Sequence, residues 1–168
     1  MDRTLLIVDD EEMVRRALTR TLRADGCRLF TAASGEEALA LLEQQSVAMV
    51  ISDQRMGAMS GINLLRQVSE RWPETLRVVL TGHADLAMAL EAINQGGLYG
   101  FLTKPWDDLA LRQVIRLGFE RYALAQENSQ LRETVRAHER ILDRLEAEHP
   151  GIASVRRDAT GAVVIDDR

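Results

Sequence analysis

Five short apolar runs alternate with stretches of helical periodicity, and this alternation restricts the fold more than any other feature of the chain. The runs are Thr4–Val8, Cys27–Ala32, Ala48–Ser52, Leu76–Leu80 and Leu98–Thr103. The third is apolar in the way expected of a strand covered on both faces. Between the runs, Met13, Ala17, Leu18 and Leu22, then Ala38, Leu41 and Leu42, recur at helical spacing. Ile62, Leu64, Leu65 and Val68 do so again, followed by Leu86, Leu90 and Ile93. Punctuation agrees with these segments. Asp25-Gly26, Trp72-Pro73 and Gly96-Gly97 are helix stops, Ser34 with Glu37 fits a capping box, and Ser60 and Asp107 or Asp108 open helices. Strict alternation implies right-handed crossovers, and so a parallel sheet with helices on both faces.

In an open doubly wound sheet, ligands bind outside the carboxyl ends of the strands. Asp9-Asp10, Asp53, Thr81 and Lys104 fall at the carboxyl ends of the first, third, fourth and fifth runs. Three carboxylates gathered there repel one another unless a cation lies among them, and hard oxygen ligands suit magnesium. A carboxylate is also a nucleophile toward phosphorus. An ammonium such as that of Lys104 neutralises arriving phosphoryl charge, and the Thr81 hydroxyl is suited to a phosphoryl oxygen.

With those residues in order, the chain resembles a response-regulator receiver domain of two-component signalling, of the chemotaxis-receiver kind. The resemblance rests on Ile7-Val8-Asp9-Asp10-Glu11, Ile51-Ser52-Asp53, Leu80-Thr81-Gly82 and Phe101-Leu102-Thr103-Lys104-Pro105, and it covers about residues 3–122. It implies a flavodoxin-like (βα)5 fold with strand order 2-1-3-4-5 and Asp53 as the phosphoacceptor. Asp10, Asp53 and the backbone carbonyl of Arg55 would hold Mg2+, with Asp9 acting through water. Thr81 and Lys104 would contact the phosphoryl group, and Thr81 with Phe101 would form the switch. The family usually has the lysine–proline bond in cis, here Lys104-Pro105. Many members carry proline where this chain has Gly57, so the loop after Met56 is expected to be freer. Arg55 and His83 occupy variable positions beside the path of an attacking water and are expected to set the phosphoryl lifetime. The implied donor is a sensor histidine kinase or a phosphotransfer protein.

Composition agrees with a water-soluble signalling module. A net charge of −5 tilts against a nucleic-acid surface, and no apolar stretch approaches membrane-spanning length. The single cysteine, Cys27, makes no internal disulfide, and the start of the chain lacks a signal-peptide pattern, so a cytoplasmic location is expected.

Helical periodicity continues past residue 122. Leu124, Asn128, Leu131, Val135, His138, Leu142 and Leu145 alternate spacings of four and three, the heptad of a coiled coil. Carried backward, this seam reaches Leu117 and Val114. Asn128 at an a position favours a parallel homodimer in register, in which Glu127 would face Arg132 of the second chain. The expected organisation is a receiver over 1–122, a helical extension over 123–148 and a tail over 149–168. Val155–Asp158 and Ala162–Asp166 flank Ala159-Thr160-Gly161 as a small hairpin. No DNA-binding or enzymatic pattern fits the extension, so output through contacts with a downstream protein is expected. Two rival classes are a magnesium-dependent phosphatase with an Asp nucleophile and a structural dimerisation protein. The phosphatase needs a second acid two residues past the nucleophile, where this chain has Arg55. The acidic pocket disfavours the structural protein.

Overall fold

A computed structural model describes residues 3–151, so the hairpin expected over 155–166 lies outside the described residues. Five parallel strands, β1 (Thr4–Val8), β2 (Arg28–Ala32), β3 (Met49–Asp53), β4 (Leu76–Thr81) and β5 (Gly100–Thr103), lie in the order β2-β1-β3-β4-β5. The helices are α1 (Glu12–Arg23), α2 (Gly35–Gln44), α3 (Gly61–Arg71), α4 (Leu86–Asn94) and α5 (Asp108–Glu148), with a 3-10 turn at His83–Asp85. This is the flavodoxin-like doubly wound sheet, with β1, β3 and β4 innermost.

Alternation along the strands divides the core into two layers. Leu6, Val8, Val50 and Val79 pack with Ala38, Leu42, Leu64, Leu65, Val68 and Ala89 from α2, α3 and α4. Leu5, Ile7, Met49, Ile51, Val78 and Leu80 pack with Leu18 and Leu22 of α1 and Leu111, Ile115 and Phe119 of α5. All five residues of β1 and of β3 are buried, the apolar residues 5–8 and 49–51 as in strands covered on both faces, with the polar Thr4, Ser52 and Asp53 buried at the strand ends.

The helix starts follow their capping chemistry. Ser34 Oγ accepts from the Glu37 amide at 3.2 Å, while Glu37 reaches back to the Ala33 amide at 2.6 Å, one residue before the amide of an ideal capping box. Ser60 Oγ accepts from the Asn63 amide at 3.3 Å, and Asp107 Oδ1 accepts from the Ala110 amide at 2.8 Å. Gly96, just past α4, has φ 73°, a left-handed stop that glycine adopts without strain.

Two expected core positions face outward. Met13 is 83% exposed, because α1 turns Leu18 and Leu22 inward with Val14 partly buried. Leu90 is 45% exposed, because the small Ala89 is the α4 residue seated on the sheet.

The described chain divides into two compact units after Ala125. In the first, Leu111, Ile115, Gly118 and Phe119 form the buried stripe of α5, with Val114 partly buried against the same core and Leu117 exposed. In the second, Leu131, Val135 and Leu142 are each more than half exposed, and Asn128 and His138 are exposed too. Among the described residues, no helix is long and apolar enough to cross a membrane.

Candidate phosphoacceptor site

Each site residue stands where a strand runs out. Asp53 ends β3 and Thr81 ends β4, while Asp9 and Lys104 immediately follow β1 and β5. Backbone bonds extend the ladders into the loops. The Gln54 amide donates to the Leu80 carbonyl at 2.9 Å, and the Lys104 amide donates to the Thr81 carbonyl at 2.8 Å. Lys104-Pro105 is cis.

Lys104 Nζ bridges two carboxylates, at 2.8 Å from Asp9 Oδ2 and 2.8 Å from Asp53 Oδ1. The Asp9 side chain is fully buried, and its other oxygen accepts from the Glu11 amide at 2.9 Å. The other Asp53 oxygen accepts from the Arg55 amide at 3.1 Å. Asp10 is exposed, yet one oxygen from each of Asp9, Asp10 and Asp53 falls within a mutual 4.8 Å. Lys104 contacts two of the three carboxylates, and the Arg15 guanidinium donates to the Asp9 and Asp10 carbonyls at 2.6 and 3.1 Å. Three carboxylates thus face two cations, and a surplus of negative charge remains. Such an oxygen-rich, uncompensated donor set fits a hard divalent cation of the magnesium kind.

Burial is the largest influence on Asp53 and pushes its carboxyl above the ordinary carboxylate range, against the pull of the Lys104 hydrogen bond and charge. The same burial would lower the Lys104 ammonium, but its hydrogen bonds to Asp53 and Asp9 more than reverse this and hold it above its usual value. The two raised values are compatible. Desolvation dominates for the acid, whereas two partners dominate for the base.

Thr81 is buried and its hydroxyl donates to the Gly82 carbonyl at 3.1 Å, within its own loop. Phe101 is half-buried and packs on the core layer of α2, α3 and α4. His83 is exposed and, with Glu11, Asp53, Arg55, Asp85 and Lys104, lines an open pocket of about 320 Å³. Trp106 packs against the α1 and α5 core layer. Cys27 is half-buried, and burial pushes its thiol upward.

Two features had no sequence signal of their own. Arg55 forms a two-pronged ion pair with Asp85, at 2.6 Å from Nε to Oδ2 and 3.1 Å from Nη2 to Oδ1. That contact raises the guanidinium and lowers the carboxyl. Gly61, the first residue of α3, lies so close to β3 that a Cβ there would fall 2.0 Å from the Asp53 carbonyl oxygen.

Residues 5–116 match the family described as the response regulator receiver domain. The chain belongs to that family. It is 39% identical over 121 residues to the hydrogenase transcriptional regulatory protein HoxA of Cupriavidus necator, a match covering 72% of this receiver chain and 25% of HoxA. A C4-dicarboxylate transport transcriptional regulatory protein, DctD of Pseudomonas aeruginosa, is 30% identical over 161 residues, 96% of this chain and 35% of that protein. The chain thus spans about a quarter to a third of these curated relatives. A response regulator receiver domain from Clostridium thermocellum superposes with a TM-score of 0.69 at 31% identity, over 73% of this chain and 98% of that one.

Proposed function

We propose that this receiver accepts a phosphoryl group on Asp53 from a sensor histidine kinase or phosphotransfer protein and relays the change through α4, β5 and α5. The observation that carries the assignment is the Lys104 bridge, which holds Asp53 and Asp9 together at the mouth of the sheet. In the transfer, an Asp53 carboxylate oxygen attacks phosphorus as the bond from phosphorus to the donor's imidazole nitrogen breaks. The nitrogen leaves with the electron pair. The Arg55 amide fixes one Asp53 oxygen and Lys104 the other, so the nucleophile is oriented before the donor arrives.

Asp10, Asp53 and the Arg55 carbonyl would hold Mg2+, with Asp9 one water removed, in keeping with the proximity of the three carboxylates. When bound, the ion supplies charge neutralisation at the phosphoryl oxygens. Lys104 then shifts its contact from carboxylate to phosphoryl oxygen, and the Thr81 hydroxyl exchanges the Gly82 carbonyl for a phosphoryl oxygen. Thr81 moving toward Asp53 leaves room behind it for the half-buried Phe101 to turn inward. Arg55 and His83, at the rim of the pocket, set the phosphoryl lifetime.

The receiver proper takes residues 1–122, and the extension over 123–148 pairs with a second copy as a parallel homodimer in the cytoplasm. The exposed Leu124, Leu131, Val135, Leu142 and Leu145 support that pairing. Its target is a downstream protein, and its own catalysis is limited to gaining and losing the phosphoryl group. Incubation with acetyl phosphate and Mg2+ tests the assignment. Wild-type protein gains a phosphoryl adduct that Asp53→Asn lacks; an equal adduct on both would reject Asp53 as the acceptor.

A further inference from the structure

The four helices α1 to α4 begin in different ways, and two of them, α1 after Glu11 and α4 after Asp85, start without a side-chain cap bond. Ser34 and Ser60 have extended backbones, φ −151°, ψ 166° and φ −71°, ψ 154°, and each accepts a first-turn amide with its side chain. Asp85 holds the same position before α4 and belongs to one of the best capping residue types. Yet it makes no side-chain cap bond, and its backbone, at φ −107°, ψ 6°, belongs to the 3-10 turn His83–Asp85 rather than to an extended cap. Both carboxylate oxygens are committed elsewhere, to the Arg55 guanidinium. Arg55 is in turn anchored beside the phosphoacceptor, its amide on Asp53 Oδ2 at 3.1 Å.

We infer that Asp85 is a two-position residue, latched to Arg55 in the unphosphorylated receiver and released to cap α4 when a phosphoryl group at Asp53 draws Arg55 away. The inference rests on the phosphoacceptor reading above and adds a coupling that Thr81 and Phe101 do not provide. A phosphoryl group brings several anionic oxygens to the pocket that Arg55 lines, and a guanidinium engages such oxygens in the same forked geometry it now uses on Asp85. Once Arg55 changes partner, the Asp85 carboxylate is free to accept from the amides of Ala87 and Met88 in the first turn of α4, the positions that an N-cap side chain serves. Capping them requires ψ of Asp85 to rotate from the turn value to the extended value seen at Ser34 and Ser60. The 3-10 turn therefore unwinds as the cap forms, and the phosphoryl state is written into the first turn of α4. Asp85 acts here as a positioning residue, through Arg55.

Hydrogen exchange at the Ala87 and Met88 amides reads the two positions directly. In wild-type full-length protein with Mg2+, saturation with beryllofluoride, a phosphoryl mimic, should raise protection there roughly five-fold, the size of one N-cap. Arg55→Gln should show that raised protection without beryllofluoride, since the latch is already open. Asp85→Ala should show low protection in both conditions, and the double variant should match Asp85→Ala alone. Unchanged protection in Arg55→Gln, or a beryllofluoride response that survives Asp85→Ala, would overturn the latch. Failure of the wild-type protein to take an acetyl phosphate label at Asp53 would instead remove the underlying reading, while the Arg55→Gln result in the absence of any anion would still judge the Arg55–Asp85 pair.

Discussion

Asp53 carries the largest tension at the scale of a single residue. The proposed nucleophilic attack needs its charge, yet burial opposes that charge, and Lys104 offsets burial only in part. The consequence for stability has a definite sign. A carboxyl raised above its unfolded value near ~3.9 binds its proton more tightly in the folded state, so ionising it costs folded-state stability. That cost is absent below the unfolded value and is fully present above the folded one. Urea unfolding in chelator should therefore show Asp53→Asn gaining on the wild type as pH rises from about 4 to 7. A gap between the two proteins that stays constant over this range would contradict the burial account. Added Mg2+ should reverse the order by stabilising the wild type selectively, since only a ligand that prefers the folded site raises stability.

Among the elements, the start of α3 is the least forgiving. Gly61 lets the helix sit directly against the Asp53 carbonyl, and the Gly61 amide donates to the Gln54 carbonyl at 3.0 Å in the same turn. Gly61→Ala places a methyl where backbone already lies, and strain of that kind costs about 1–3 kcal/mol or more. Urea denaturation should show the loss, and Mg2+ affinity should fall with it because Asp53 is displaced. Stability within a few tenths of a kcal/mol of wild type would mean α3 is free to shift.

Sequence patterns were most informative where local chemistry sets the outcome. The β1 and β3 runs, the Ser34 and Ser60 caps and the four strand-end residues all follow from neighbours within a few positions. Leucine periodicity misled at Leu90, because the sheet selects the small Ala89 for the close approach of α4. Nothing in the chain announced the Arg55–Asp85 pair. Its partners are 30 residues apart in loops, and charged loop residues are ordinarily solvated. Gly61 was equally silent, since a glycine after a cap serine looks like ordinary punctuation.

For the molecule as a whole, the open question is what α5 does beyond the receiver. Its later apolar positions are exposed in one chain, and in the proposed homodimer a second copy would cover them with matching periodicity. A sedimentation series should show concentration-dependent dimerisation that Leu131→Lys with Val135→Lys abolishes without altering acetyl phosphate labelling. Monomer at every wild-type concentration would remove the dimer from the account. The relatives HoxA and DctD are named transcriptional regulatory proteins and extend far beyond the matched region.

The central claim is the identity of the acceptor atom, and reductive trapping addresses it most directly. Borohydride converts an aspartyl phosphate to homoserine, which peptide mass spectrometry locates. After treatment with acetyl phosphate and Mg2+, homoserine is predicted at position 53 and at no other acid. Its appearance at Asp9, Asp10 or Asp85, or its absence from the whole chain, would contradict the account.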